Sequence, residues 1–210
     1  MPIHDWAQVD QSVFHHVHVM WTFAIADELN RGRLPRDHYA LLAATSTEAD
    51  VYAADSNAVV IHHTSDHRRV ALIEIVEPRH KSSRRRLEAF VSKLENFLRA
   101  GVHLLLVDLF PAGPIDPNGV HKAIWDRLCG DDNDFVLPSD RRLTLAAYVA
   151  NSVFQAYIEP TKFCASLCDM PLFLSPETYV SMPLEATYAA AFELVPGFWR
   201  EVLNSPKGPL

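Results

Sequence analysis

The chain is poor in glycine and cysteine, and each shortage removes a class of function. Seven glycines in 210 residues provide no phosphate-cradling loop, and neither a Walker sequence nor a dinucleotide fingerprint occurs. Three cysteines, Cys129, Cys164 and Cys168, cannot make an even disulfide framework. The Cys-x3-Cys pair also lacks the two-plus-two ligand set of a structural zinc site, so a reduced, cytoplasmic protein is expected. No apolar run of about 18 residues occurs. The start "MPIHDWAQVD" has neither a basic region nor an apolar core, and no membrane association is expected. Ser82 and Ser83 stand in no glycine-framed elbow, and no reactive-cysteine motif is present. Positive charge is also in deficit. A net charge of −7 excludes a surface that grips nucleic acid all over and leaves room only for a local basic patch.

What is present reads as an α/β protein with a mixed sheet. Apolar residues make up 49% and charged ones 21%, an ordinary globular balance, and the length suits one domain over residues 1–210. Phe14, Val17, Trp21, Ala24 and Ile25 recur at helical spacing between Gln11 and Arg31. "EADVYA", "NAVVIHH" and "RRVALIEIV" form a three-strand meander between Thr47 and Val76. A helix over about Ser83–Ala100 carries the stripe Leu87, Phe90, Val91, Leu94, Phe97 and Leu98, and the strand "VHLLLVDLF" follows it. Strand, helix and strand in this order make a crossover between parallel neighbours, right-handed by the usual rule. The core therefore spans about residues 11–110. Beyond it an α+β elaboration, about 111–210, offers a short helix "VHKAIWDRL", a strand pair "RLTLAAYVA" and "VFQAYIEP", and one or two closing helices.

Two acids stand where apolar residues belong. Glu28 falls within about 20° of Trp21 on the helical wheel, and Glu74 shares a strand face with Leu72 and Val76. A carboxylate on a buried face costs several kcal/mol unless paired, protonated or bound to a metal. Asp50, Glu28 and Lys81 are the candidate neighbours of Glu74. Carboxylates around a hard cation such as Mg²⁺ or Mn²⁺, with a lysine nearby, form the arrangement that activates water against a phosphodiester. The bases Arg79, His80, Lys81, Arg84, Arg85 and Arg86 lie between strand and helix. Three arginines in a helix's first turn oppose the macrodipole, which hints at an anionic partner: a nucleic-acid backbone would fit, and so would an internal acidic neighbour such as Glu77 or Asp108. The pair His15 and His18 has neither an intervening catalytic Glu nor a third ligand nearby, and it and the group His62, His63 and His67 read as packing or surface residues.

"MPIHDW", "FHHVH", "LNRGRLP", "IEIVEPRHKSSRRR", "GVHLLLVDLFP", "HKAIWD" and "MPLFLSPETYVSMPLEATY" together resemble an uncharacterised bacterial family catalogued as domain of unknown function 4058. The resemblance covers nearly the whole chain, and the family brings no established activity. The strand-helix-strand core resembles the restriction-endonuclease-like PD-(D/E)XK superfamily. That resemblance implies Glu28, Asp50 and Glu74 as metal ligands and Asp50, Glu74 and Lys81 as the catalytic set, with Asp66 as a substitute for Asp50. Arg79, Arg84, Arg85 and Arg86 would hold the anion. "IVE" follows Glu74, so the usual lysine two residues on is missing and Lys81 would serve from the loop. Two readings stay open: a metal-dependent endonuclease, and a catalytically silent relative that uses the same fold for binding.

Overall fold

The computed structural model describes residues 1–43, 58–130 and 134–205. Asp10 caps the first helix, α1 (Gln11–Glu28), by accepting from the Ser12 backbone N–H at 2.8 Å, as a short acid at the N-cap should. The chain then widens into the turn Leu29–Arg33. There Gly32 takes φ 120°, a conformation open to glycine alone without strain. Strands β1 (His38–Leu42), β2 (Val59–His63) and β3 (Arg69–Ile75) form the meander. Helix α2 (Arg84–Arg99), capped by Ser83, crosses from β3 to β4 (His103–Asp108), which lies parallel to β3.

A six-stranded sheet results, in the order β1-β2-β3-β4-β5-β6, with β5 (Leu143–Val149) and β6 (Gln155–Thr161) added antiparallel beyond β4. The strand pair expected as a C-terminal elaboration is thus an extension of the central sheet. Helix α3 (Gly119–Cys129) connects β4 to β5. A separate hairpin, β7 (Met170–Phe173) and β8 (Tyr179–Met182), precedes α4 (Leu184–Phe192) and α5 (Gly197–Asn204).

Both sheet faces are buried, as a doubly apolar β3 requires. On one face Val17, Trp21 and Ile25 of α1, with Tyr188 of α4, pack on Ile73, Ile75, Leu105 and Val107. The buried Trp21 indole N–H donates to Thr187 Oγ1 at 3.0 Å, so the ring enters the core without an unpaired donor. On the other face Leu87, Phe90, Val91, Leu94 and Leu98 of α2, with Ile124 of α3, cover Leu72, Leu104 and Leu106. This layering decides the site, because α1 and α2 sit on opposite sides of β3.

"EADVYA" lies outside the described residues. Among the described residues the meander begins instead with "HYALL", whose leucines Leu41 and Leu42 are exposed while only Ala40 is buried. An edge strand with that inverted pattern gives no alternation to read. The β7-β8 hairpin was equally silent, because four-residue strands with Pro171 inside one of them fall below what β patterning marks.

Candidate functional site

Strands β3 and β4 run parallel, so their carboxyl ends lie together, and the unusual polar groups collect there. Glu74, the last residue but one of β3, is 2% exposed and faces the α2 side of the sheet. Lys93 reaches it from α2, placing Nζ 3.1 Å from Glu74 Oε2. Burial raises the Glu74 pKa, and Lys93, the next largest influence, opposes that rise. Lys93 stands one helical turn from Phe90 and Phe97, on the flank of the apolar stripe, with its ammonium 5.9 Å from the Phe90 ring centroid.

The next residues after β3 turn back under α1. Glu77, 4% exposed, accepts from Arg79 Nη2 at 2.7 Å and from the His80 backbone N–H. His80 Nδ1 in turn accepts from the Glu77 N–H at 3.2 Å, which places any ring proton on Nε2. The ring stacks on Phe90, centroids 4.0 Å apart. Burial first, then the positive charges of Arg79 and Lys93, push the His80 pKa down to about 3, so the ring is neutral near neutral pH. His15 and His18 of α1 face Glu77 from the opposite side, each with Nδ1 3.6 Å from a different carboxylate oxygen. Burial lowers the His18 pKa to about 4 despite the attraction of Glu77.

Lys81 does not turn to Glu74. Its ammonium lies 3.1 Å from Asp108 Oδ2 and 2.7 Å from Asp116 Oδ2, and donates to the carbonyls of Phe110 and Pro111. Both acids are buried, so a cation between them is an electrostatic necessity. The residue expected to be catalytic is a latch on the carboxyl end of β4.

The other expected ligands separate. Glu28 belongs to the helix on the face opposite Glu74, and its carboxylate turns outward to Arg33, 2.6 Å away. The wheel placed it on the apolar stripe, but the last turn of a helix lets a flexible acid tip into water. Glu28→Gln should therefore change unfolding free energy by less than about 1 kcal/mol, the range of an exposed pair, as urea denaturation would show. Asp66 caps the β2-β3 turn by accepting from the Arg68 N–H. That turn is at the amino end of β3, about 17 Å of extended chain from Glu74, too far to share a cation. Asp50 lies outside the described residues. Ala43 and Ala58, which flank its segment, are joined by a 2.7 Å backbone hydrogen bond next to Val59, the register partner of Ile73, at the Glu74 end of the sheet.

Of the four arginines expected to bind an anion, Arg79 is drawn onto Glu77, while Arg84, Arg85 and Arg86 are exposed in the first turn of α2. Sequence reasoning missed Lys93 and Asp116, whereas Glu77 and Asp108, offered as internal acidic neighbours of the bases, do pair with Arg79 and Lys81. For Lys93 a signal existed, a lysine bordering an otherwise apolar helix face that must pack over Glu74.

The donor chemistry at Glu74 suits a hard divalent cation. Its carboxylate is an oxygen donor of the kind such ions take; burial raises its pKa, Lys93 opposes that rise, and the Glu77 charge adds to it. Comparison of the chain with family models, with curated proteins and with solved structures finds no match.

Proposed function

We propose that the protein is a divalent-metal-dependent phosphodiester hydrolase acting on nucleic acid, built on the nuclease-like core that its sequence resembles. One observation carries the reading: a lysine from the crossover helix meets a sealed carboxylate on the β3 strand, 3.1 Å apart, next to the sheet's parallel pair. This is the acid-lysine combination that the PD-(D/E)XK resemblance requires, with the lysine supplied by Lys93 in place of Lys81.

Glu74, with Asp50, would hold a Mg²⁺ or Mn²⁺ ion, which when bound supplies an acidic water and neutralises phosphate charge. Lys93 sets its ammonium beside Glu74, where it can stabilise charge developing on a phosphoryl oxygen. Arg84, Arg85 and Arg86, exposed in the first turn of α2, seat the nucleic-acid backbone at the positive end of that helix. Lys81, Asp108 and Asp116 hold the loop that follows β4.

The test is cleavage of DNA and RNA with Mg²⁺ or Mn²⁺ by wild type beside Glu74→Gln and Lys93→Met, below the unfolding temperature of each. Each substitution should lower the rate by roughly 100-fold or more, the usual cost of removing a preorganised electrostatic group. Equal rates would assign the cleavage to a contaminant. A binding-only protein is the second reading, favoured by the charge on Glu74 being already matched by Lys93. It predicts salt-dependent binding, weakened by Arg84→Ser and Arg86→Ser, with no cleavage under any metal.

A further inference from the structure

We propose that His15, His18 and Glu77 form a binding site for a divalent transition-metal ion of the zinc type, separate from the hard-cation chemistry at Glu74. The three side chains converge from α1 and from the turn after β3. One ligand atom of each lies within 4.8 Å of the other two. His15 Nδ1 is 3.6 Å from Glu77 Oε2, and His18 Nδ1 is 3.6 Å from Glu77 Oε1. Tetrahedral zinc with bonds near 2.0–2.1 Å holds neighbouring donor atoms about 3.3 Å apart, so both histidine–carboxylate distances already stand close to that spacing, and the two histidine nitrogens lie within 4.8 Å of each other.

The second observation is the state of His18. Its side chain is 2% exposed, and Nδ1 is buried with no hydrogen-bond partner. Its contact with the Ile75 backbone therefore falls to Nε2, which leaves an Nδ1 lone pair aimed at a carboxylate. Two acceptors facing each other in a dry environment are an uncompensated cost, and a cation between them removes it. The Ile75 carbonyl then has the place of the outer partner that fixes the tautomer of metal-bound histidines, while Arg79 orients the Glu77 carboxylate by the same logic. Two imidazoles and one carboxylate favour a zinc-type ion over Mg²⁺. His15 is more than half exposed, so the remaining coordination position opens to solvent.

A second group, Asp37, His38 and His63, also clusters, but Asp37 is exposed, and its carboxylate already accepts from His38 at 2.8 Å. It has no buried orphan nitrogen among its members and serves as the control.

The experiment titrates metal-stripped protein with Zn²⁺ against a chromophoric chelator at pH 7.5, without nucleic acid, and repeats it with Mg²⁺. Wild type should take up one tightly held Zn²⁺ per chain that millimolar Mg²⁺ does not displace. His15→Ala alters a solvent-facing ligand and should fold normally; it should weaken Zn²⁺ binding at least 10-fold. His18→Asn should do the same where its melting curve confirms folding, and His63→Ala should leave the affinity unchanged. Co²⁺ in place of Zn²⁺ should give visible absorption that His15→Ala alters. Wild-type affinity in His15→Ala, loss in His63→Ala, or no saturable uptake would overturn the assignment. Because binding is read directly, its failure leaves the hydrolase reading untouched, and an inactive protein that binds Zn²⁺ leaves this site standing.

Discussion

Lys81→Met should destabilise the protein by about 3–5 kcal/mol near pH 8, the cost of stripping one partner from a buried charge group. Asp108 and Asp116 are each 3% exposed or less, and among the described residues Lys81 pairs with both carboxylates. Truncating it also leaves the Phe110 and Pro111 carbonyls without its donors. The pH dependence has a definite sign. Burial raises the Asp108 pKa and Lys81 opposes that rise, so without Lys81 it climbs further. Between the unfolded and folded values the native state then holds the extra proton, and stability falls as pH rises. The deficit in Lys81→Met should therefore be larger at pH 8 than at pH 5, which urea unfolding at the two values measures. Had Lys81 been the catalytic lysine the sequence suggested, its removal would lower activity and leave stability nearly intact. A loss below about 1 kcal/mol at pH 8 would refute the latch.

Much of the frame is legible in the sequence. The β3-α2-β4 unit follows from a doubly apolar strand, a helix whose stripe matches the 3.6 period and a second apolar run directly after Gly101. All three elements stand within a residue or two of their expected limits. Glu74 was also legible, because an acid in such a strand has nowhere polar to point. Its partner was not. The choice between Lys81 and Lys93 depends on how far α2 is rotated about its axis over the sheet, a tertiary quantity that spacing does not contain. Lys81 was also nearer in sequence and followed a loop, which made it the economical choice. Likewise His15 and His18 announced a shared helix face, but the carboxylate that completes their cluster comes from the turn after β3, brought under α1 by the sheet. Glu28 failed for the opposite reason. Its wheel position was right, but a terminal glutamate has enough length to leave the face its Cβ points to.

Lys93→Met should cost about 3–5 kcal/mol as well, and what happens on removing Glu74 in the same molecule separates two roles that the single substitution confuses. Glu74 is sealed at 2% exposure while Lys93 keeps a small solvent-facing fraction, so Lys93→Met leaves an uncompensated buried carboxylate. Burial already raises the Glu74 pKa. Loss of Lys93 raises it more, and by the same proton linkage the variant should recover part of its stability as pH falls from 8 to 5. Glu74→Leu with Lys93→Met removes both charges and fills the strand face toward Leu72 and Val76. That double variant should return to within about 1 kcal/mol of wild type, or exceed it, since a buried ion pair seldom outperforms apolar packing of equal volume. The resulting coupling energy should reach several kcal/mol with a sign showing that the two side chains compensate each other. If the double variant is instead as unstable as Lys93→Met, Lys93 stabilises through its stem against Phe90 and not through Glu74. A stable double variant that has lost all metal-dependent cleavage is the result expected of a pair retained for chemistry, because folding alone would be served as well by leucine and methionine. A stable double variant that still cleaves would remove Glu74 and Lys93 from the active centre.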